Sequence, residues 1–212
     1  MKKCILCYGD SNTWGYIPTG GRYEEDTRWP MRMGELLGDG YAVVEEGFNG
    51  RTCVYDDPVE GGFKSGLQYL PPCLMSHNPL DAVLIMLGTN DTKRRFGLTP
   101  MTIGQGMMQL VRTAKLYAVN DEGQSARVVI VAPPLILDNL METRHAECFG
   151  EQAIEVSRGL SHEFRRISKL MRCDFFDAAP YAEVSPLDAV HMTARGHIQL
   201  AEAMAGKVRS VV

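Results

Sequence analysis

Short hydrophobic runs alternate along the chain with longer segments whose hydrophobic residues recur at helical spacing. Each run is long enough for one buried strand, and the alternation is typical of a parallel sheet covered by helices. Five strands are predicted, at Lys3–Tyr8, Ala42–Glu46, Ala82–Leu87, Val128–Val131 and Cys173–Phe176. The run at 82–87 contains no polar residue. It is therefore expected to be a central strand, buried on both faces.

Four segments have the hydrophobic spacing of helices. They are Trp29–Leu37, Met101–Val119, Glu151–Met171 and a last segment from Thr193 to about Val211. Thr99 is the expected N-cap of the second helix, with Pro100 in its first turn, and Thr193 is the expected N-cap of the last. The third of these segments is expected to be the longest helix.

Other segments give weaker signals. Gly66–Met75 is expected to form a weak helix at best, because Pro71 and Pro72 interrupt it. Residues 17–27 and 135–150 show no pattern of core positions. Both are expected to be loops that border the ligand crevice and set its specificity.

The order of these elements predicts the fold. Five strands with intervening helices indicate a three-layer α/β/α arrangement around a parallel sheet, with the flavodoxin-like strand order 2-1-3-4-5. The chain has 212 residues, of which 45% are hydrophobic, and neither a repeat nor a linker divides it. We therefore expect a single domain over residues 1–212. Strands one and three then meet at the switch point, where open α/β sheets bind ligands.

Charge and hydropathy narrow the class of partner. The formal net charge of -4 gives no basic footprint for nucleic acid. No stretch approaches the roughly 18 apolar residues of a membrane span, and the run after Met1-Lys2-Lys3 is too short for a signal peptide. A cytoplasmic protein without a nucleic-acid partner is therefore expected. Among the six cysteines, only the Cys4/Cys7 pair resembles a redox or zinc motif. This pair lies within a predicted strand and is therefore expected to be two small buried hydrophobes.

A serine and a histidine are the first candidates for chemistry. Ser11 comes two residues after the glycine that ends the first hydrophobic run, which places it at the ligand-binding end of a strand. Its hydroxyl is a weak nucleophile until a base removes the proton. His191 lies in a loop three residues after Asp188, whose carboxylate can fix the tautomer of the imidazole.

The other four histidines are weaker candidates. His162 is expected on the solvated face of a helix, His77 in a turn, and His197 inside the last helix. His145 lies in the 135–150 segment and could line a site, but no carboxylate partner is evident nearby in the sequence.

Acyl transfer also needs donors for an oxyanion. Three are available at predicted strand ends: the backbone N–H of Ser11, the backbone N–H of Gly50 and the side-chain amide of Asn90. Each has an ordinary alternative, since glycines occur in many turns and Asn90-Asp91 could cap a helix. Their combination, in order along the chain, favours a shared site.

Four short blocks of the chain resemble those of the SGNH, or GDSL-like, hydrolases. They are Gly9-Asp10-Ser11-Asn12, Gly47-Phe48-Asn49-Gly50, Gly88-Thr89-Asn90-Asp91 and Asp188-Ala189-Val190-His191. The surrounding stretches are similar to the arylesterase and acyltransferase branch. The resemblance covers almost the whole chain, although Asn12 stands where the family name has leucine.

The resemblance implies a reaction and roles. Ser11 would be the nucleophile, His191 the general base and then acid, and Asp188 the residue that orients His191. Ser11, Gly50 and Asn90 would form the oxyanion hole. The implied reaction is ester hydrolysis through an acyl-enzyme, without metal or cofactor. The branch includes homo-oligomers, so the resemblance also brings homo-oligomerisation into consideration.

The substrate is less well defined. A pocket around Ser11 is expected to include Asp10, Asn12, Trp14, Tyr16 and Phe149. Small, acetyl-like acyl esters are favoured over long lipids. Transfer of the acyl group to an alcohol is considered beside hydrolysis. Carbohydrate acetyl esters, thioesters and lysophospholipids stay open as alternatives.

Two alternatives belong to other classes. A metal-dependent phosphoesterase would use Asp10, the Gly88–Asp91 block and His191, but the sequence offers few of the carboxylate and histidine ligands that a two-metal site needs. The second alternative is a flavodoxin-like binding domain without catalytic activity, because fold alone does not establish activity.

Overall fold

A five-stranded parallel sheet forms the centre of the molecule. The computed structural model describes residues 2–212, and its strands are β1 (Lys3–Gly9), β2 (Tyr41–Gly47), β3 (Ala82–Met86), β4 (Arg127–Ala132) and β5 (Asp174–Asp177). All neighbours pair in parallel, in the order β2-β1-β3-β4-β5. The predicted α/β fold and strand order are confirmed.

Helices cover both faces of the sheet. They are α1 (Ser11–Trp14), α2 (Trp29–Leu37), α3 (Gly66–His77), α4 (Pro100–Tyr117), α5 (Ala146–Phe149), α6 (Gln152–Met171) and α7 (Ala194–Val211). Short 3₁₀ turns occupy Pro58–Glu60, Asn90–Thr92 and Asp138–Glu142. Thr99 and Thr193 cap α4 and α7 as predicted, each side chain accepting a backbone N–H. None of the helices within residues 2–212 has both the length and the hydrophobicity of a membrane span.

The central strands divide the core into two layers. Along β1, Ile5 and Cys7 pack in the cluster that includes buried residues of α2 and α7. Leu6 and Tyr8 point to the opposite face and pack in the cluster with α3, α4 and α6. Because successive side chains of a strand alternate between faces, one continuous hydrophobic run serves both layers.

The helix α3 corrects one prediction. It runs through Pro71 and Pro72 to His77, although each proline removes a backbone donor. Leu70 and Leu74 are fully buried in the core, and Ser65 caps the helix by accepting the N–H of Gln68. Packing and capping therefore outweigh the two missing hydrogen bonds. His77, expected in a turn, ends this helix.

The segment 135–150 also differs from expectation. It was expected to lack core positions, but Ile136, Leu140 and Phe149 are buried in a third cluster. That cluster includes Ala189 and Val190, which directly precede His191. The irregular 3₁₀ and α turns of the segment hide its hydrophobic positions from a search for one period. The segment thus packs against the loop that carries His191.

Candidate active site

The helix α1 positions Ser11 immediately after β1. The Asp10 carboxylate Oδ1 accepts the backbone N–H of Asn12 at 2.9 Å and so caps the helix. Ser11 is the first helical residue, and its own N–H therefore has no partner within the helix. Position 9, at the end of β1, requires glycine, because a Cβ there would lie 2.0 Å from the Thr13 hydroxyl oxygen in α1.

A continuous chain of hydrogen bonds joins Asp188, His191 and Ser11. Asp188 Oδ2 lies 2.7 Å from His191 Nδ1, and His191 Nε2 lies 2.9 Å from Ser11 Oγ. The serine and histidine are separated by 180 residues in sequence. With the proton on Nδ1, Nε2 can accept the Ser11 proton. The geometry is that of a nucleophile, a base and an orienting carboxylate.

Asp188 is fitted to its histidine by several contacts. Its Oδ1 accepts the backbone N–H groups of Val190 and His191 at 3.1 and 3.0 Å. Burial alone raises the pKa of Asp188, but the hydrogen bonds and charge of His191, with these backbone donors, bring the pKa below its ordinary value. The carboxylate is therefore ionised at neutral pH, as an orienting group for an imidazole must be.

The loop that carries His191 is tied to α1 by Asn12. The Asn12 amide donates to the carbonyl of Val190 at 3.2 Å and accepts the N–H of Met192 at 3.0 Å. The two bonds therefore bracket His191 on both sides. Asn12 was expected in the substrate pocket, but its side chain is buried and does not line the cavity. It holds the backbone on both sides of His191 in place.

Two candidate oxyanion donors lie across the cavity from α1. Gly50 lines the cavity with φ of +81°, a conformation that favours glycine. Asn90 also lines it, and one N–H of its amide donates to the carbonyl of Arg51 at 3.1 Å. The second N–H of that amide is left for a ligand. Arg51 is itself fixed, donating to the Gly9 carbonyl at 2.9 Å.

The cavity at Ser11 has a volume of about 200 Å³. Tyr16 and Phe149 are in its wall, and the Tyr16 ring packs against the His191 ring at a tilt of 37°, with centroids 4.5 Å apart. Asp10 and Trp14 were also expected there, but neither lines it. Asp10 faces inward as a helix cap, and Trp14 packs beneath the Arg22 guanidinium at 5.0 Å. Proximity in sequence did not predict the direction of these side chains.

Sequence reasoning had no carboxylate partner for His145 and did not include Lys93 or Glu60 among the polar residues of this wall. His145 lies in it, with Nε2 3.9 Å from Asp188 Oδ2 and its ring 5.7 Å from that of His191. Burial, followed by the charge of His191, lowers the pKa of His145, which therefore stays neutral. Lys93 and Glu60 also line the cavity and form an ion pair at 2.6 Å. Only the fold reveals these neighbours.

The remaining histidines lie elsewhere. His162 is exposed on α6, as expected. His197 is completely buried, and its Nδ1 accepts the N–H of Trp29 at 3.3 Å. Burial lowers the pKa of His197 to about 3. This histidine is therefore a neutral core residue at ordinary pH.

The site also contains side chains that could coordinate a metal. His145, Asp188 and His191 offer ligand atoms that all lie within 4.8 Å of one another. Two of these residues are already engaged in the hydrogen bonds to Ser11 and to each other. One carboxylate and two imidazoles are too few for the two-metal clamp of a phosphoesterase.

Comparison with known proteins supplies the family. Residues 7–198 match the model of the GDSL-like Lipase/Acylhydrolase family. The chain belongs to this family. A search of curated proteins returned no match. As a GDSL-like acylhydrolase, the chain is a serine esterase, a carboxylic ester hydrolase that acts on acyl esters. The resemblance seen in the sequence is confirmed.

Solved structures place this GDSL-like acylhydrolase among esterases. Est24, a carbohydrate acetylesterase from Sinorhizobium meliloti, is 38% identical, with 100% of both chains covered and a TM-score of 0.93. The aryl esterase of M. smegmatis is 35% identical over 99% of this chain and 100% of that one, with a TM-score of 0.91. A putative arylesterase from Agrobacterium tumefaciens is 34% identical, with the same coverage and a TM-score of 0.90.

Proposed function

We propose that Ser11, His191 and Asp188 are the catalytic triad of this esterase. The observation that carries the proposal is the unbroken hydrogen-bond chain from Asp188 Oδ2 through the imidazole to Ser11 Oγ. His191 Nε2 takes the Ser11 proton as Oγ attacks the ester carbonyl carbon. The tetrahedral intermediate collapses, the C–O bond to the leaving alcohol breaks, and His191 returns the proton to that alcohol. Water, deprotonated by His191, then attacks the acyl carbon. The bond from that carbon to Ser11 Oγ breaks, His191 returns the proton to Oγ, and the acid leaves.

The negative charge of that intermediate needs fixed donors. We assign this role to the N–H of Ser11, the N–H of Gly50 and the second N–H of the Asn90 amide. Support comes from their position around one cavity and from the anchoring of Asn90 on the Arg51 carbonyl. Donors that are already held in place cost no reorganisation during the reaction.

The substrate is proposed to be a small, acetyl-like ester. A cavity of about 200 Å³ is small beside the roughly 300–1,000 Å³ of typical ligand pockets, which disfavours long acyl chains. Transfer of the acyl group to an alcohol instead of water is compatible with the same acyl-enzyme. Thioesters and lysophospholipids are the less favoured alternatives.

Carbohydrate acetyl esters are the second candidate. Polar side chains of His145, Lys93 and Glu60 in the cavity wall can bind hydroxyl groups of a leaving alcohol. The similarity to a carbohydrate acetylesterase from Sinorhizobium meliloti supports the same choice.

A chain-length series tests reaction and substrate together. Purified protein is assayed on p-nitrophenyl acetate, butyrate and octanoate and on acetylated sugars, beside the Ser11→Ala and Ser76→Ala variants. Ser76 is an exposed serine of α3 and serves as the control. We expect acetate to give the highest kcat/KM, Ser11→Ala to be inactive and Ser76→Ala to match the parent. Activity retained by Ser11→Ala contradicts the assigned nucleophile, and a preference for octanoate contradicts the substrate class.

We also propose that residues 1–212 form one domain that works in the cytoplasm on small molecules, not on nucleic acid. The support is a sheet whose two core layers draw on helices from the whole chain, and six cysteines that are free in the described residues. Assembly into a homo-oligomer is compatible with the family and is tested by the mass of the protein in solution.

A further inference from the structure

Three side chains with metal-binding atoms converge at the edge of the sheet, apart from Ser11. Cys73 and His77 are four residues apart on α3 and therefore lie on the same side of that helix. Glu46 faces them from β2. The thiol sulfur, an imidazole nitrogen and a carboxylate oxygen all lie within 4.8 Å of one another. Within this group, Glu46 Oε1 is 2.9 Å from His77 Nε2.

These separations suit a tetrahedral ion. Zinc bonds to sulfur, nitrogen and oxygen ligands at about 2.0–2.3 Å, which places tetrahedral ligands roughly 3.3–3.8 Å apart. The distance of 2.9 Å between Glu46 Oε1 and His77 Nε2 must increase slightly, because the ion replaces the hydrogen bond between these two atoms. Both side chains are partly exposed, at 20% and 31%, and can make this adjustment.

We propose that Glu46, Cys73 and His77 form a binding site for a zinc-like divalent ion. The mixed thiolate, imidazole and carboxylate set is one that Zn²⁺ accepts, while Mg²⁺ and Ca²⁺ prefer oxygen ligands alone. Three protein ligands leave a fourth position for water.

The surroundings provide access for that ion. Glu46 lines a second cavity, of about 460 Å³, which is open to solvent and contains none of the triad residues. Cys73, with 1% exposure, closes the inner side of the site. His77 ends α3, where the unpaired carbonyl groups of a helix carry partial negative charge and favour a cation.

Two features work against the ion. The Arg51 guanidinium lies near enough to act on the Cys73 thiol, but it is already stacked 4.2 Å from the Tyr8 ring centroid and bonded to the Gly9 carbonyl. Burial, followed by the charge of Glu46, raises the pKa of Cys73 to about 12. The incoming ion must therefore displace a proton from the thiol, as is usual for structural metal sites.

The site is independent of the proposed catalysis. None of its three residues lines the cavity that contains Ser11. A bound ion would join the end of β2 to the end of α3. We therefore expect it to stabilise this edge of the sheet and to leave ester hydrolysis without a metal requirement.

Cobalt is the most informative probe, because a Co²⁺–thiolate bond gives an intense near-ultraviolet charge-transfer band. Protein freed of metal with EDTA is titrated with Co²⁺ and, by calorimetry, with Zn²⁺. We expect one equivalent to bind with the thiolate band and to raise the Tm. Cys73→Ser should abolish the band, and His77→Gln should weaken binding by more than the 10–100-fold typical of losing a mere outer-shell partner.

Three controls separate this site from others. Cys173→Ser and His162→Gln remove the same residue types elsewhere and should leave the titration unchanged. His145→Gln removes the cluster beside the triad and should also keep the thiolate band. Metal-free melting of each variant near that of the parent shows that folding is intact.

The proposal is overturned if no thiolate band appears, or if the band survives in Cys73→Ser. It is also overturned if zinc binding is lost only in His145→Gln. Hydrolysis of p-nitrophenyl acetate by the EDTA-treated parent is measured in parallel, so that failure of the metal site is distinguished from failure of the proposed esterase mechanism.

Discussion

Asp188 is the residue on which most interactions of the site converge. Its Oδ2 accepts from His191 at 2.7 Å, and the Arg144 guanidinium and the His145 imidazole approach the same oxygen at 3.8 and 3.9 Å. Such a setting keeps the carboxylate charged and leaves His191 in one orientation. Asn90 has a comparable double task, since one N–H holds the Arg51 carbonyl and the other is free for the substrate.

At this scale, Asn90→Ala tests the oxyanion donor. Loss of one such donor typically costs about 10²–10³ in kcat. We expect a fall of that order with p-nitrophenyl acetate and a much smaller change in KM, because the donor acts on charge that develops in the transition state. Asn120→Ala, in the turn before β4 and at the end of the sheet opposite to Ser11, is the matched control. An unchanged kcat in Asn90→Ala would remove Asn90 from the oxyanion hole.

At the scale of elements, the site depends on close backbone packing at the ends of β1 and β2. A Cβ on Gly47 would lie 2.2 Å from the backbone nitrogen of Trp14 in α1. The end of β2 therefore touches the backbone of the helix that carries Ser11. Asn12 adds the second attachment of α1, to the loop around His191.

Gly47→Ala is expected to destabilise the protein by about 1–3 kcal/mol or more, because backbone cannot move aside as a side chain can. Gly206→Ala, in α7 with nothing within 4 Å of the added methyl, is the control and should stabilise by roughly 0.5–1 kcal/mol. Urea unfolding of both variants measures the two effects. If Gly47→Ala and Gly206→Ala were equally stable, the backbone of α1 would not pack as tightly against position 47 as the structure indicates.

The elements also show what the sequence can and cannot predict. The buried runs of β1, β3 and β4 were found because their hydrophobicity is continuous. The helix α3 was predicted only as a weak helix, because its stability comes from the burial of Leu70 and Leu74, which a local rule about proline does not include. The contact between His145 and Asp188 joins segments far apart in sequence, so that only the folded chain reveals it.

At the scale of the whole molecule, buried carboxyl groups make stability depend on pH. Burial raises the pKa of Asp91 to about 7 and that of Asp10 to about 6, although each accepts backbone hydrogen bonds. Both pKa values in the folded protein exceed the ordinary aspartate pKa of 3.8. The folded state therefore holds protons that the unfolded state releases. The stability from these groups is complete below about pH 4 and is lost as the pH rises through about 6–7.

Asp91→Asn removes one of these titrations. The amide oxygen can still accept the Cys53 N–H, which Asp91 binds at 2.9 Å. We expect the free energy of unfolding to vary less between pH 4 and pH 7, since one proton contributes a slope of at most about 1.4 kcal/mol per pH unit. Asp39→Asn, at an exposed position, should keep the parent profile. If the free energy of unfolding of Asp91→Asn varied with pH as it does in the parent, the raised pKa of Asp91 would be contradicted.

The most direct test of the central claim is the covalent labelling of the nucleophile. Protein is treated with diethyl p-nitrophenyl phosphate, a phosphorylating analogue of the ester substrate, and the modified site is mapped by peptide mass spectrometry. We expect one diethylphosphoryl group per chain, located on Ser11, and much slower labelling of His191→Ala. A label on any other residue would contradict the proposed triad. The triad would also be contradicted if the reagent inactivated the parent and yet labelled Ser11→Ala stoichiometrically.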